Sequence, residues 1–152
     1  MREEISEKKF DLYKDVLFEI INKNLGVEEE VIASKIKIRE VADARRIIVK
    51  ILKMAFPSSK LYNIGNVVNR GHSNTTLQLI EHKKLLNTDV PYTKKFRLIE
   101  FEFKKAIQLK KSLSELQEDK YELERELLVL NSLIQERELK RVTSMIPSVV
   151  TF

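Results

Sequence analysis

The chain has 152 residues, 43% of them hydrophobic, with only three Gly, three Pro and no Cys. That is enough for one domain with an extension, suits helices better than turn-rich β structure, and excludes disulfides, thiolate metal sites and cysteine nucleophiles. The net charge of +5 is unevenly spread: residues 1–32 carry 5 basic and 9 acidic side chains, residues 33–97 carry 14 and 4, and residues 98–152 carry 9 and 10. A central segment of net +10 between acidic or balanced flanks is the footprint of a polyanion-binding surface, although a solvated basic face has the same composition.

The opening "MREEISEKKF" is charged and lacks the apolar run of a signal peptide. No stretch approaches the ~18 uncharged apolar residues of a membrane span. The expectation is a cytoplasmic, nucleoid-associated protein that makes no membrane contact. Residues 5–24 place Ile5, Phe10, Leu12, Tyr13, Val16, Leu17, Ile20 and Ile21 at helical spacing, and Asn24-Leu25-Gly26 reads as the helix stop. "VEEEVIASK" suits a short helix or turn. "KIKIRE" alternates Lys35, Lys37 and Arg39 with Ile36 and Ile38, a short strand or, between helices, a basic loop.

Val41–Phe56 is a strong helix, with Ile47, Ile48, Ile51, Leu52 and Ala55 on one side and Arg45, Arg46, Lys50 and Lys53 on or near the other. Pro57 ends it. Ser58 or Ser59 is a candidate cap for a short helix with Leu61, Ile64, Val67 and Val68 inward. Asn69-Arg70-Gly71 breaks that helix. Ser73 or Asn74 caps the next, which carries Leu77, Leu79, Ile80, Leu85 and Leu86 as its apolar positions. Two short helices joined by a tight Gly-containing turn form a helix-turn-helix.

Asn87-Thr88-Asp89 and Pro91 mark another start, and from Tyr92 to Val142 there is neither Gly nor Pro. Leu109, Leu113, Leu116, Lys120, Leu123, Leu127, Leu130 and Ile134 alternate steps of four and three, a heptad seam with a Lys at one a position. The predicted fold is all-α: a helix-turn-helix domain of four to five helices over residues 1–105, a coiled-coil helix over 106–142 and an aperiodic tail over 143–152. The seam leucines and Ile134 are the predicted oligomerisation residues.

Over about Leu17 to Ile107 the chain resembles the C-terminal DNA-binding domain of the bacterial replication initiator DnaA. The resemblance is carried by "SKIKIREVADARRIIVKIL", "SKLYNIG", "RGHSNTTL" and "EHKKLL", which follow the order of that family's basic loop, Arg-bearing helix, short helix and recognition-helix signature. It implies a Trp-repressor-like helix-turn-helix. By match, Asn74, Thr75 and Thr76 read base edges in the major groove and Arg39 enters the minor groove. The signature is altered: with one residue inserted in the turn, Asn74 stands on the family's His and Ser73 on its Asp, whereas an ungapped turn puts Ser73 on the His; Asp43 and Ala44 replace a family Arg-Pro. No phosphate-binding "G-x-x-x-x-G-K-[ST]" is present, so the family's nucleotide-driven engine is not expected.

The residue chemistry points the same way. Asn pairs bidentately with adenine, a Thr methyl meets a thymine methyl, and Lys and Arg neutralise phosphates. A ligand-free helix cap uses the same Asn and Thr residues. The predicted DNA-contacting set is Lys35, Lys37, Arg39, Arg45, Arg46, Arg70, His72, Ser73, Asn74, Thr75, Thr76 and Lys83. His72 is expected in the turn and His82 on a helix surface. Tyr13, Tyr62, Phe96, Phe101 and Phe103 are expected in the core. No catalytic residue, cofactor or metal is expected. The functional expectation is a duplex-DNA-binding regulator or accessory replication factor, phage or mobile-element proteins included, that forms a homodimer through its C-terminal helix. The competing expectation is a scaffold in which that helix engages a foreign helical partner and the helix-turn-helix docks protein.

Overall fold

A computed structural model describes residues 2–145. It is all-α, with six helices in the order α1 (Arg2–Leu25), α2 (Glu29–Ile32), α3 (Arg39–Ala55), α4 (Leu61–Val67), α5 (His72–Thr88) and α6 (Val90–Met145), and no strand among the described residues. The chain divides into two compact units, Met1–Gln108 and Leu109–Phe152. The segment "IPSVVTF", most of the expected tail, lies outside the described residues, and α6 continues as far as Met145.

In the first unit α3 is the central element. Val41, Ala44, Ile47, Ile48, Val49, Ile51 and Leu52 are buried along it, and it packs against α1, α2, α4 and α5. Helix α1 supplies Tyr13, Val16, Leu17, Phe18, Ile20 and Ile21, and α6 supplies Tyr92, Phe96, Ile99, Phe103 and Ile107. The ring of Tyr13 joins two of these elements to the end of α3, with centroids 5.1 Å from Phe56 and 5.7 Å from Phe103, within the range of favourable aromatic pairs.

The helix ends follow local chemistry. Gly26 adopts φ 65° and its N–H bonds to the Asn22 carbonyl at 2.9 Å, the left-handed stop expected of Asn24-Leu25-Gly26. Between α5 and α6, Asp89 ends one helix and caps the next: its Oδ1 accepts the Tyr92 N–H at 3.0 Å. Residues 35–38 form a loop, not a strand, because α3 begins at Arg39 and no strand among the described residues is there to pair with "KIKI". The other expected caps are not used. Lys60 precedes α4 and Gly71 precedes α5, neither with a side-chain cap.

Several side chains depart from their expected sides. His82 is buried, while Tyr62 and Phe101 are exposed, as is Leu12. On α5 the reason is helical geometry. Thr75, Leu79, His82 and Leu86 recur at steps of four and three and form the inward row, so Leu77 and Ile80 fall on the opposite arc.

In the second unit the seam residues Leu109, Leu113, Leu116, Leu123, Leu127, Leu130 and Ile134 are 51–64% exposed. A stripe of this kind is consistent with self-association. No described helix is long and apolar enough to cross a membrane.

Candidate nucleic-acid interface

The turn between α4 and α5 is built by backbone chemistry. Arg70 N–H bonds to the Gly65 carbonyl at 2.9 Å and Asn69 N–H to the Asn66 carbonyl at 3.1 Å, with Asn69 at φ 54°. That is a Schellman stop, with Asn in the left-handed position more often filled by Gly. Gly65 is required for a different reason. A Cβ there would lie 2.3 Å from Thr75 Oγ1 and 2.6 Å from the Arg70 carbonyl oxygen, so only Gly lets α4 approach the start of α5 this closely.

Thr75 is therefore a packing residue. It is fully buried, and its hydroxyl donates to the Gly71 carbonyl at 2.9 Å. Thr76 is half-buried and donates likewise to the His72 carbonyl at 3.2 Å. Of the three residues matched to the family's base readers, only Asn74 is exposed. Its Oδ1 accepts from Gln78 Nε2 at 3.2 Å. His72 and Ser73 are exposed beside it, and Lys83 is exposed further along α5.

Arg45 also leaves the candidate set. It is 3% exposed, and its guanidinium binds four backbone carbonyls of the preceding segment: Nε to Ile32 at 2.8 Å, Nη1 to Ile36 at 2.7 Å, and Nη2 to Val31 at 3.2 Å and to Ser34 at 2.7 Å. The planar fork of Arg suits this task, since a compact ammonium cannot span four acceptors. Burial, and after it the nearby Arg70 guanidinium, lower its pKa from the usual value.

The loop that Arg45 holds is also tied to the α4–α5 turn. Arg70 Nη2 donates to the same Ser34 carbonyl at 2.8 Å, and Asn69 Nδ2 donates to the Ala33 carbonyl at 3.0 Å. The Ser34 oxygen thus bridges two guanidinium groups. Lys35 and Lys37, both exposed, are carried by the segment that is fixed next to the first turn of α5. The loop, the turn and the exposed start of α5 are in this way brought together.

Arg39 and Arg46 are engaged with carboxylates. Arg39 pairs with Asp89 and lies 4.0 Å from Asp43, while Arg46 Nη1 bonds to Asp43 at 2.8 Å. Lys95 approaches the same buried Asp43 at 3.6 Å. Arg39 remains largely exposed, so its pairing is of the weak, solvent-screened kind. The half-buried Arg46 is held as a counter-charge to Asp43.

No family model, curated protein or solved structure matches the chain. The residues that sequence reasoning missed are Ser34, whose carbonyl joins loop to turn, and Leu77, which is 59% exposed on α5. Leu77 carries a legible signal, since it shares a helical row with Ser73, Ile80 and Lys84. The joining carbonyl of Ser34 carries none, because it is a backbone acceptor; the Ser34 hydroxyl bonds only within its own loop, to the Val31 carbonyl and the Ile36 N–H. Among the described residues no three His, Cys, Asp or Glu side chains are grouped to hold a metal.

Proposed function

We propose that this protein binds double-stranded DNA through the start of α5 and the basic loop 33–38. The observation that carries the reading is the Ser34 carbonyl shared by Arg45 and Arg70, which fixes a Lys-bearing loop beside an exposed, polar helix start. In a helix-turn-helix this is the arrangement in which the helix enters the major groove and flanking cations meet phosphates. The DnaA-like resemblance supports the same assignment. The retained phosphate-facing set is Lys35, Lys37 and Lys83, Arg39 stays the minor-groove candidate, and the groove-facing set is His72, Ser73 and Asn74; Arg70, held by the carbonyls of Ser34, Val68 and Asn69, fixes the turn instead.

Binding to mixed-sequence duplex is expected to fall steeply with salt, because phosphate neutralisation releases counterions. Replacing Lys35 and Lys37 together by Ala should weaken all duplexes alike. It should also flatten the slope of log affinity against log salt by about two, roughly 0.9 per phosphate contact. A salt-independent affinity, or none at about 50 mM salt, would reject the reading.

The exposed seam of α6 supports homodimer formation as part of the same proposal. Burying a Leu or Ile side chain is worth roughly 1.5–3 kcal/mol, and seven of them share one stripe. Two copies on one duplex bind with raised effective concentration. The full chain is expected to sediment as a dimer and a chain ending at Gln108 as a monomer. A full-length monomer at tens of micromolar, well above a dissociation constant of about 1 μM or −8.2 kcal/mol, would favour the second reading, a scaffold whose stripe takes a foreign helix.

A further inference from the structure

Helix α5 has a sharply divided circumference. Thr75, Leu79, His82 and Leu86 face the core, and Ser73, Asn74, Leu77, Ile80, Glu81 and Lys84 form the exposed arc. At 100° per residue Leu77 lies near the middle of that arc, one turn beyond Ser73 and Asn74. A single exposed Leu is ordinary on a protein surface. Here two aliphatic side chains, Leu77 at 59% and Ile80 at 47% exposure, succeed each other along the arc of the helix whose preceding turn is bonded to the Lys-bearing loop at Ala33 and Ser34.

We infer that Leu77 reads thymine methyl groups in the major groove, and that Asn74 and Leu77 together select A·T-containing duplex. The inference rests on the duplex-DNA reading above and deepens it. Thymine is the base that presents a methyl group to the major groove, and apolar side chains recognise it by contact. Asn74 supplies the adenine half of the code. Its Oδ1 has a second lone pair beyond the bond to Gln78, and its Nδ2 donates to no protein acceptor among the described residues, so both atoms can serve the N6 and N7 edge of adenine. The two Thr residues that match the family's readers cannot supply this apolar contact as well as Leu77 does, because one is buried and the other half-buried with its hydroxyl turned back to the helix. An apolar side chain at the centre of a reading arc also disfavours G·C pairs, whose cytosine N4 donor would lose water without gaining a partner.

The test uses the full chain and three duplexes of one length: an A·T-rich sequence, the same sequence with deoxyuridine in place of thymidine, and a G·C-rich sequence. Deoxyuridine removes the methyl group and leaves every hydrogen-bonding atom. The wild-type chain should bind the thymidine duplex tightest, losing about fourfold for each contacted methyl removed. Leu77→Ala, an exposed substitution that leaves the core intact, should bind the thymidine and deoxyuridine duplexes equally and keep its salt dependence. Equal wild-type affinity for the thymidine and deoxyuridine duplexes, with salt-dependent binding retained, overturns the inference and leaves DNA binding standing. A thymidine preference that survives in Leu77→Ala also overturns it, by assigning the contact to another residue. Failure to bind any of the three duplexes overturns the DNA-binding reading itself, and with it the inference, and returns Leu77 and Ile80 to a protein-docking role.

Discussion

Replacing Arg45 by Ala is expected to destabilise the first unit by about 3 kcal/mol, the cost of stripping a charged donor from several buried acceptors. The truncation removes all four guanidinium bonds: the Ser34 carbonyl keeps Arg70 and the Val31 carbonyl keeps the Ser34 N–H, while the carbonyls of Ile32 and Ile36 lose the Arg45 donor. Hydrogen bonds to a charged donor are worth more than neutral ones, and Arg45 makes more bonds to this segment than Asn69 and Arg70 together. Arg45→Lys should recover only a part, since one ammonium cannot replace the fork. Thermal unfolding should move down by roughly 4–8 °C per kcal/mol for a domain of this size. Amide exchange should quicken first at residues 34–38. An unchanged midpoint would show that the loop is held by Asn69 and Arg70 instead.

Acidification is the second large expected effect, and it acts through His82. The imidazole is 1% exposed, its Nδ1 lies 2.6 Å from the Tyr92 hydroxyl, its Nε2 has no partner among the described residues, and its ring packs 4.4 Å from that of Phe96. Burial first, then the positive charges of Lys50 and Arg97, push its pKa down to about 4. Burial likewise raises the Tyr92 phenol, so that group stays neutral throughout. Because the folded-state pKa is below the unfolded one, the unfolded chain binds more protons between the two values, and stability rises with pH across that window. The contribution is complete above pH ~6.5 and is lost as pH falls toward 4, about 3 kcal/mol in all at 1.36 kcal/mol per unit. His82→Gln keeps a partner for Tyr92 but cannot titrate. It should flatten the pH dependence in that window relative to wild type, measured by denaturant unfolding at pH 7, 5.5 and 4. An identical slope in both proteins would place the titration on other groups.

Much of the fold was legible because its signals are periodic or conformational. Gly26 marked the end of α1, Pro57 the end of α3, and the run without Gly or Pro the length of α6. The loop before α3 and the turn between α4 and α5 were legible for the same reason. What misled was residue type taken without its helical row. Arg45 reads as a phosphate contact, yet it falls in the series Val41, Arg45, Ile48, Leu52, at the spacing of a buried face. His82 falls in the series Thr75, Leu79, His82, Leu86 and is buried with it. Leu77 and Ile80 are apolar like Leu79 and Leu86, yet their row holds Ser73 and Lys84 and faces solvent. The carbonyl of Ser34 was beyond reach, since backbone acceptors have no sequence signature.

The contact at Gly65 carries a consequence for how such a helix changes over time. With no room for one carbon atom between α4 and the Thr75 hydroxyl, the inner half of α5 is held in a fixed register against its neighbour. The outer half is under no such constraint: Ser73, Asn74, Leu77, Ile80, Glu81 and Lys84 touch solvent and can be exchanged with little effect on folding. The helix is split lengthwise into a frozen side and a writable one. New binding preferences can be drafted on the writable side, one substitution at a time, without renegotiating the core.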